Sequence, residues 1–194
     1  GITLDWNYDM KHVDLSVPGY VPRKLLKWQH PNPKKPQHSP YQSAPIVYGA
    51  KVQQPVQSDI TAPLTAAQIK QVQEIVGAFI WYGQACDPTL AAALSAISSR
   101  QTKGTAAVLA ACHQLLDYLA THPNAAIRYQ ASDMILAFDT DASYLSEMNG
   151  KSRAAAYYFM TRNGKKEFTN GAVDVLSTII KHVMSSASEA ETGA

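Results

Sequence analysis

The chain has 194 residues, 46% of them hydrophobic and 16% charged, with a formal net charge of +2. These figures exclude a fully disordered chain and a histone-like polycation, and they allow one ordinary domain or two small ones. No stretch reaches the roughly eighteen apolar residues of a membrane-spanning helix. The N-terminus, Gly1-Ile-Thr-Leu-Asp-Trp, lacks the basic and apolar regions of a signal peptide. It also lacks an initiator Met and starts in mid-strand, so a fragment is expected. Cys86 and Cys112 stand far apart and outside any C-x-x-C pattern, which reads as two reduced core thiols in a cytosolic protein.

Residues 1–20 read as a β-hairpin. Ile2, Leu4 and Trp6 alternate with Thr3 and Asp5, Asn7 to Lys11 supply the turn, and Val13, Leu15 and Val17 alternate on the return strand. Pro18-Gly19 ends it, and Val21 to Trp28 form a short helix opened by Pro22. From 29 to 63, Pro31, Pro33, Pro36, Pro40, Pro45, Pro55 and Pro63 forbid helix and interior strand. An extended linker or a long surface-hugging loop is the consequence. Lys11, Arg23, Lys24, Lys27, Lys34, Lys35 and Lys51 make residues 11–51 basic, answered in that stretch only by Asp14. That pattern suits either a solvated tether or contact with a phosphate backbone.

Residues 64–122 carry three helices. Thr65-x-x-Gln68 is a capping box, and Ile69, Val72, Ile75, Val76, Phe79 and Ile80 follow the three-four spacing of one buried face. Asp87-Pro88 starts a second helix with Leu90, Leu94 and Ile97 inward. Thr105 caps a third, bearing Val108, Cys112, Leu115, Leu116 and Leu119, and His122-Pro123 stops it. Short links should pack the three as a small bundle independent of the C-terminal strands, joined to them by Pro123 to Tyr129. His113 reads as an ordinary helix-surface residue.

Residues 127–194 turn to strand patterns. From Asp133 to Tyr144, apolar Met134, Leu136 and Phe138 alternate with Ile135, Ala137, Asp139 and Asp141. Ser152 to Thr161 and Val173 to Val183 read as further strands, with Asn163-Gly164 as a turn. The strand 134–141 is expected at the centre, pairing with both. Ser185-Ser-Ala-Ser-Glu-Ala-Glu then opens a helix. The fold class is mixed α/β, of α+β type: hairpin, proline-rich basic linker (29–63), helical bundle (64–122), then a second sheet and a helix (127–194).

The chemistry-bearing feature is an acid on a strand and an acid near a helix start, Asp141 and Glu191. Two such carboxylates could meet around divalent metal. Hard oxygen ligands suit magnesium, and paired magnesium ions suit in-line attack on a phosphodiester. The plainer reading, favoured on spacing alone, is that Asp141 ends a strand and Glu191 answers Ser188 in a capping box.

The order of several stretches resembles a copia-type retrotransposon polyprotein, from the end of its reverse transcriptase into its ribonuclease H. Gly1-Ile-Thr-Leu-Asp-Trp resembles the strand after the polymerase palm, and Leu15-Ser-Val-Pro-Gly-Tyr-Val-Pro-Arg-Lys-Leu-Leu the family's "L-S-Q-x-x-Y-I-x-x-L-L". Gly77-Ala-Phe-Ile-Trp-Tyr and Cys86-Asp-Pro-Thr-Leu resemble "G-S-L-L-Y-L" and "R-P-D-I" of the helical thumb and connection. Thr140-Asp-Ala-Ser resembles Ser-Asp-Ala-Asp, and Ser186 to Glu191 resembles "S-S-T-E-A-E-Y". Ser143, Cys86 and Thr192 depart from the family's Asp, Pro and Tyr at their positions.

The resemblance implies a truncated ribonuclease H-like sheet with the start of its first helix. Asp141 would be the first metal-binding, catalytic carboxylate and Glu191 the second, with Asp139 and Glu189 as second choices. It implies magnesium as cofactor (two ions in a complete site) and RNA–DNA hybrid and DNA/RNA template-primer as partners, beside the remainder of the polyprotein. The family's setting is a cytoplasmic virus-like particle, or the nucleus, with no membrane. No Tyr-x-Asp-Asp occurs here, and later ribonuclease H carboxylates would lie beyond Ala194, so the chain alone is expected to be inactive. The alternative is a non-catalytic module that grips duplex through its helical bundle and basic residues Arg23, Lys24, Lys27, Lys34 and Lys35. Such binding should be weak and strongly salt-dependent.

Overall fold

A computed structural model describes residues 1–42, 59–147, 149–162 and 169–193. Among them are two three-stranded antiparallel sheets and five α-helices. Strands β1 (Thr3–Asn7) and β2 (His12–Ser16) form the expected hairpin, with Trp6 opposite Val13 and Leu4 opposite Leu15. The Asn7 side chain accepts the Met10 amide across the turn. Helix α1 (Tyr20–Lys27) follows Gly19, whose φ of 70° is a left-handed geometry that glycine adopts without a Cβ clash.

Helix α2 (Ala66–Cys86) opens with the expected capping box, in which the Thr65 hydroxyl accepts from Gln68 N while the Gln68 side chain accepts from Thr65 N. A 3₁₀ turn over Pro88–Leu90 leads into α3 (Ala91–Ser98), and α4 (Ala106–Thr121) ends at His122. Thr105 stands at the start of α4, but its hydroxyl donates to Asp59 rather than receiving a helix amide. Val72, Ile75, Phe79, Leu90, Ile97, Val108, Leu115 and Leu119 are fully buried between these helices. Each contributes about 1.5–3 kcal/mol of transfer free energy.

The bundle is not self-contained. Val17, Val21 and Leu25 complete its core from the hairpin end and α1, because the apolar stripes of three short helices leave one side to cover. The proline-rich residues 29–42 lie along α4, the surface-hugging form of the expectation; residues 43–58, with Pro45, Lys51 and Pro55, lie outside the described set.

Strand β3 (Ala126–Gln130), expected with the C-terminal unit, instead pairs with β2 as the third strand of the first sheet. Its Ile127 and Tyr129 continue the apolar face of Leu15 and Val13, and Arg128 forms a bidentate pair with Asp14 on the opposite face at 2.7 Å per contact.

The second sheet has strands β4 (Ile135–Glu147), β5 (Lys151–Thr161) and β6 (Ala172–Ile179), in the order β4-β5-β6. This corrects one expectation: β4 is an edge strand and β5 the middle one. The short connections join neighbours as consecutive antiparallel strands, and that leaves no second partner for β4 among the described residues. The third strand ends at Ile179, four residues before the expected Val183, and the Asn163-Gly164 turn lies outside the described residues. Helix α5 (Ala187–Thr192) packs on β4 and β5 with Ala190 fully buried.

The sheet is also not independent of the helices. Arg153 Nη1 donates to the Ser95 hydroxyl of α3 at 2.7 Å and to Ser177 of β6 at 3.1 Å, while its Nε pairs with Glu147 at 2.7 Å. At the other end, Asn170 mimics a strand residue by accepting from Gln130 N and donating to Gln130 O, and Tyr129 donates to Ala172 O. A Cβ on Gly171 would stand 2.5 Å from Arg128 O, so only glycine allows this close approach of the two sheets.

Candidate functional site

Register decides where the acids point. Arg153 pairs with Ser143, Ala155 with Asp141 and Tyr157 with Asp139, and side chains of paired residues share a face. Arg153 reaches α3, so Asp139 and Asp141 lie on the face that looks toward the helices. Both are exposed at the rim of a cleft of about 360 Å³ between β4 and the start of α3, lined also by Pro88, Thr89, Ala91 and Ser177. The apolar positions Leu136 and Phe138 lie on the other face, 57% and 53% exposed. The polar ties of Arg153 thus turn the acidic face inward and leave the apolar strip outward.

Helix α5 brings the second acid to the same strand as a segment, since α5 packs against β4. Its N-cap is Ser186, whose hydroxyl accepts from Glu189 N at 3.1 Å, and Glu189 in turn accepts from the Ser185 amide and hydroxyl at 2.6 Å. Those bonds hold the Glu189 carboxyl below its ordinary value. The capping acid is therefore Glu189, and the pairing of Glu191 with Ser188 does not form. Glu191, two residues further, is exposed and takes no part in the cap. No hydrogen bond or ion pair among the described residues engages the Asp141 or Glu191 carboxylate, and none joins the two.

As donors, these carboxylates suit magnesium, which commonly takes one or two protein carboxylates and keeps several waters. A closed cage is not formed: among the described residues no three His, Cys, Asp or Glu side chains are grouped to hold a metal.

The basic residues proposed to track phosphate are divided. Lys27 is paired with Glu74 at 3.1 Å, Lys24 lies over the Tyr20 ring, and Arg23 Nε donates to Gly19 O. Lys34 and Lys35 are exposed and lack an ion-pair partner among the described residues. Arg153, the residue that orients the whole sheet, is missed by reasoning from sequence. Its signal was a lone arginine within an apolar and alanine-rich strand, where a charge must find partners.

No helix among the described residues is long and apolar enough to cross a membrane. Compared with known protein families, curated proteins and solved structures, the chain matches none.

Proposed function

We propose that the chain is the reverse transcriptase–ribonuclease H junction of a copia-type retrotransposon polyprotein, with Asp141 and Glu191 as two of the carboxylates that handle magnesium at an RNA–DNA hybrid. One observation carries the reading: a three-stranded antiparallel sheet bears an exposed acid on its first strand and is followed by a helix that packs on that same strand. When bound, magnesium would supply charge neutralisation and an activated water for phosphodiester hydrolysis. Asp141 would hold and orient it at the open cleft beside β4, where a backbone phosphate can approach, and Glu191 of α5 would be the second ligand.

Lys34 and Lys35 are the basic residues best placed to add phosphate contact, since the Lys27 charge is already answered. The test is fluorescence anisotropy with a labelled RNA–DNA hybrid across a magnesium series. Hybrid binding that strengthens with magnesium and loses that dependence in Asp141→Asn supports the reading. Binding indifferent to both magnesium and Asp141→Asn, yet lost in a Lys34→Ser/Lys35→Ser variant, would favour the non-catalytic duplex-gripping module instead.

A further inference from the structure

Four of the six histidines of the chain meet at one seam, between the proline-rich residues 30–41 and helix α4. We propose that this segment is a strap released by protonation, with the His38–His122 pair as its latch. The strap does not depend on the ribonuclease H reading.

The strap has two kinds of fastening. At its start, His30 Nε2 lies 2.7 Å from Asp117 Oδ1, with the His30 side chain only 9% exposed, and the His30 amide bonds to Leu25 O. Protonation of His30 turns that contact into an ion pair, so acid strengthens it. Further on, Gln37 N donates to the Thr121 hydroxyl at 3.0 Å, Gln114 donates to Ser39 O at 3.2 Å, and Tyr41 packs on the helical core. Between them, His38 Nδ1 lies 3.1 Å from His122 Nε2.

Two neutral imidazoles at that separation need one N–H donated to one lone pair. A first proton keeps the bond, now charge-assisted. A second proton leaves two N–H groups and two positive charges facing each other at 3.1 Å, so attraction becomes repulsion. The latch therefore opens only when both imidazoles carry a proton.

The surroundings are modest in charge. The Tyr118 ring lies tilted against His122 with ring centroids 5.0 Å apart, and the buried Asp87 carboxylate at the end of α2 attracts its positive form. Arg128 lines the same cleft as His122 but is committed to Asp14. Lys34 and Lys35 on the strap add repulsion to a doubly charged pair, and His113 faces His30, not the latch. A metal does not fit as well as protons do, because no third ligand joins the pair among the described residues.

The two fastenings answer acid oppositely. The His30 end stays clamped on Asp117 while residues 36–41 lift away from Gln114 and Thr121 of α4.

Hydrogen exchange of the full chain, corrected for intrinsic rates, tests this at about pH 7.5 and about pH 5. Protection of the Gln37 amide should fall by about tenfold or more in acid, while that of the His30 amide holds. His122→Gln keeps an uncharged hydrogen-bonding partner and should remove the pH response with the strap closed; His38→Gln should do the same from the other side. Unchanged Gln37 protection in the native chain, or an equal acid-induced loss in both variants, would overturn the proposal.

Discussion

At the scale of single residues, burial sets the chemistry more than sequence neighbours do. Cys112 is fully buried in α4, and burial pushes its thiol up to about 12. It should resist iodoacetamide in the native protein near pH 8 and react once the chain is unfolded in urea; rapid native labelling would mean that the core is open. Asp87 is a different case. It is 4% exposed, and burial raises its carboxyl above the ordinary 3.8, against the lowering effect of Thr89, whose hydroxyl donates to it at 2.5 Å. An acid with a raised native pKa holds its proton more tightly folded than unfolded, so ionisation at neutral pH costs stability, and the cost is recovered as pH falls toward the unfolded value. Asp87→Asn should therefore stabilise the protein more at pH 7 than near pH 4, as read by urea denaturation. A stabilisation independent of pH would show that Asp87 is not strained by burial.

Among elements, α2 and α4 were legible because ten or more residues repeat the three-four spacing, and the Thr65–Gln68 box marks a start that few other patterns mimic. Thr65→Ala should cost about 1 kcal/mol in thermal or urea unfolding. Strand β4 was legible as a strand, and so was its pairing with β5, but its place at the sheet edge was not. Period-two alternation reports two faces without saying which one is covered or how many partners the strand has. Here Arg153 decides, and a lone arginine in the sequence does not announce that it will bond Glu147, Ser177 and Ser95 at once. Likewise the five residues of β3 carry too short a pattern to reveal that they return to the N-terminal hairpin. Arg153→Ala should leave Glu147 with its charge nearly buried and cost about 3–5 kcal/mol, much of it regained when Glu147→Gln is added. Full additivity of the two substitutions would deny the pair.

For the whole molecule, the two sheets and the helices are fastened at a few points: Arg153 to α3, Asn170 to Gln130, and the glycine contact at 171. Gly171→Ala should push the Arg128 carbonyl away and cost about 1–3 kcal/mol, with exchange increased in both β3 and β6. The acids Asp141 and Glu191 could be singled out from sequence, and the chain does return α5 to β4. Among the described residues no hydrogen bond or ion pair engages either carboxylate, which leaves both available to the proposed metal. Manganese added to isotope-labelled protein tests whether they share it. The backbone signals of Asp141 and Glu191 should broaden together at the same manganese concentration, and both should sharpen in Asp141→Asn. Broadening at Glu191 that survives Asp141→Asn, or broadening centred elsewhere on the surface, would contradict a metal shared by these two carboxylates.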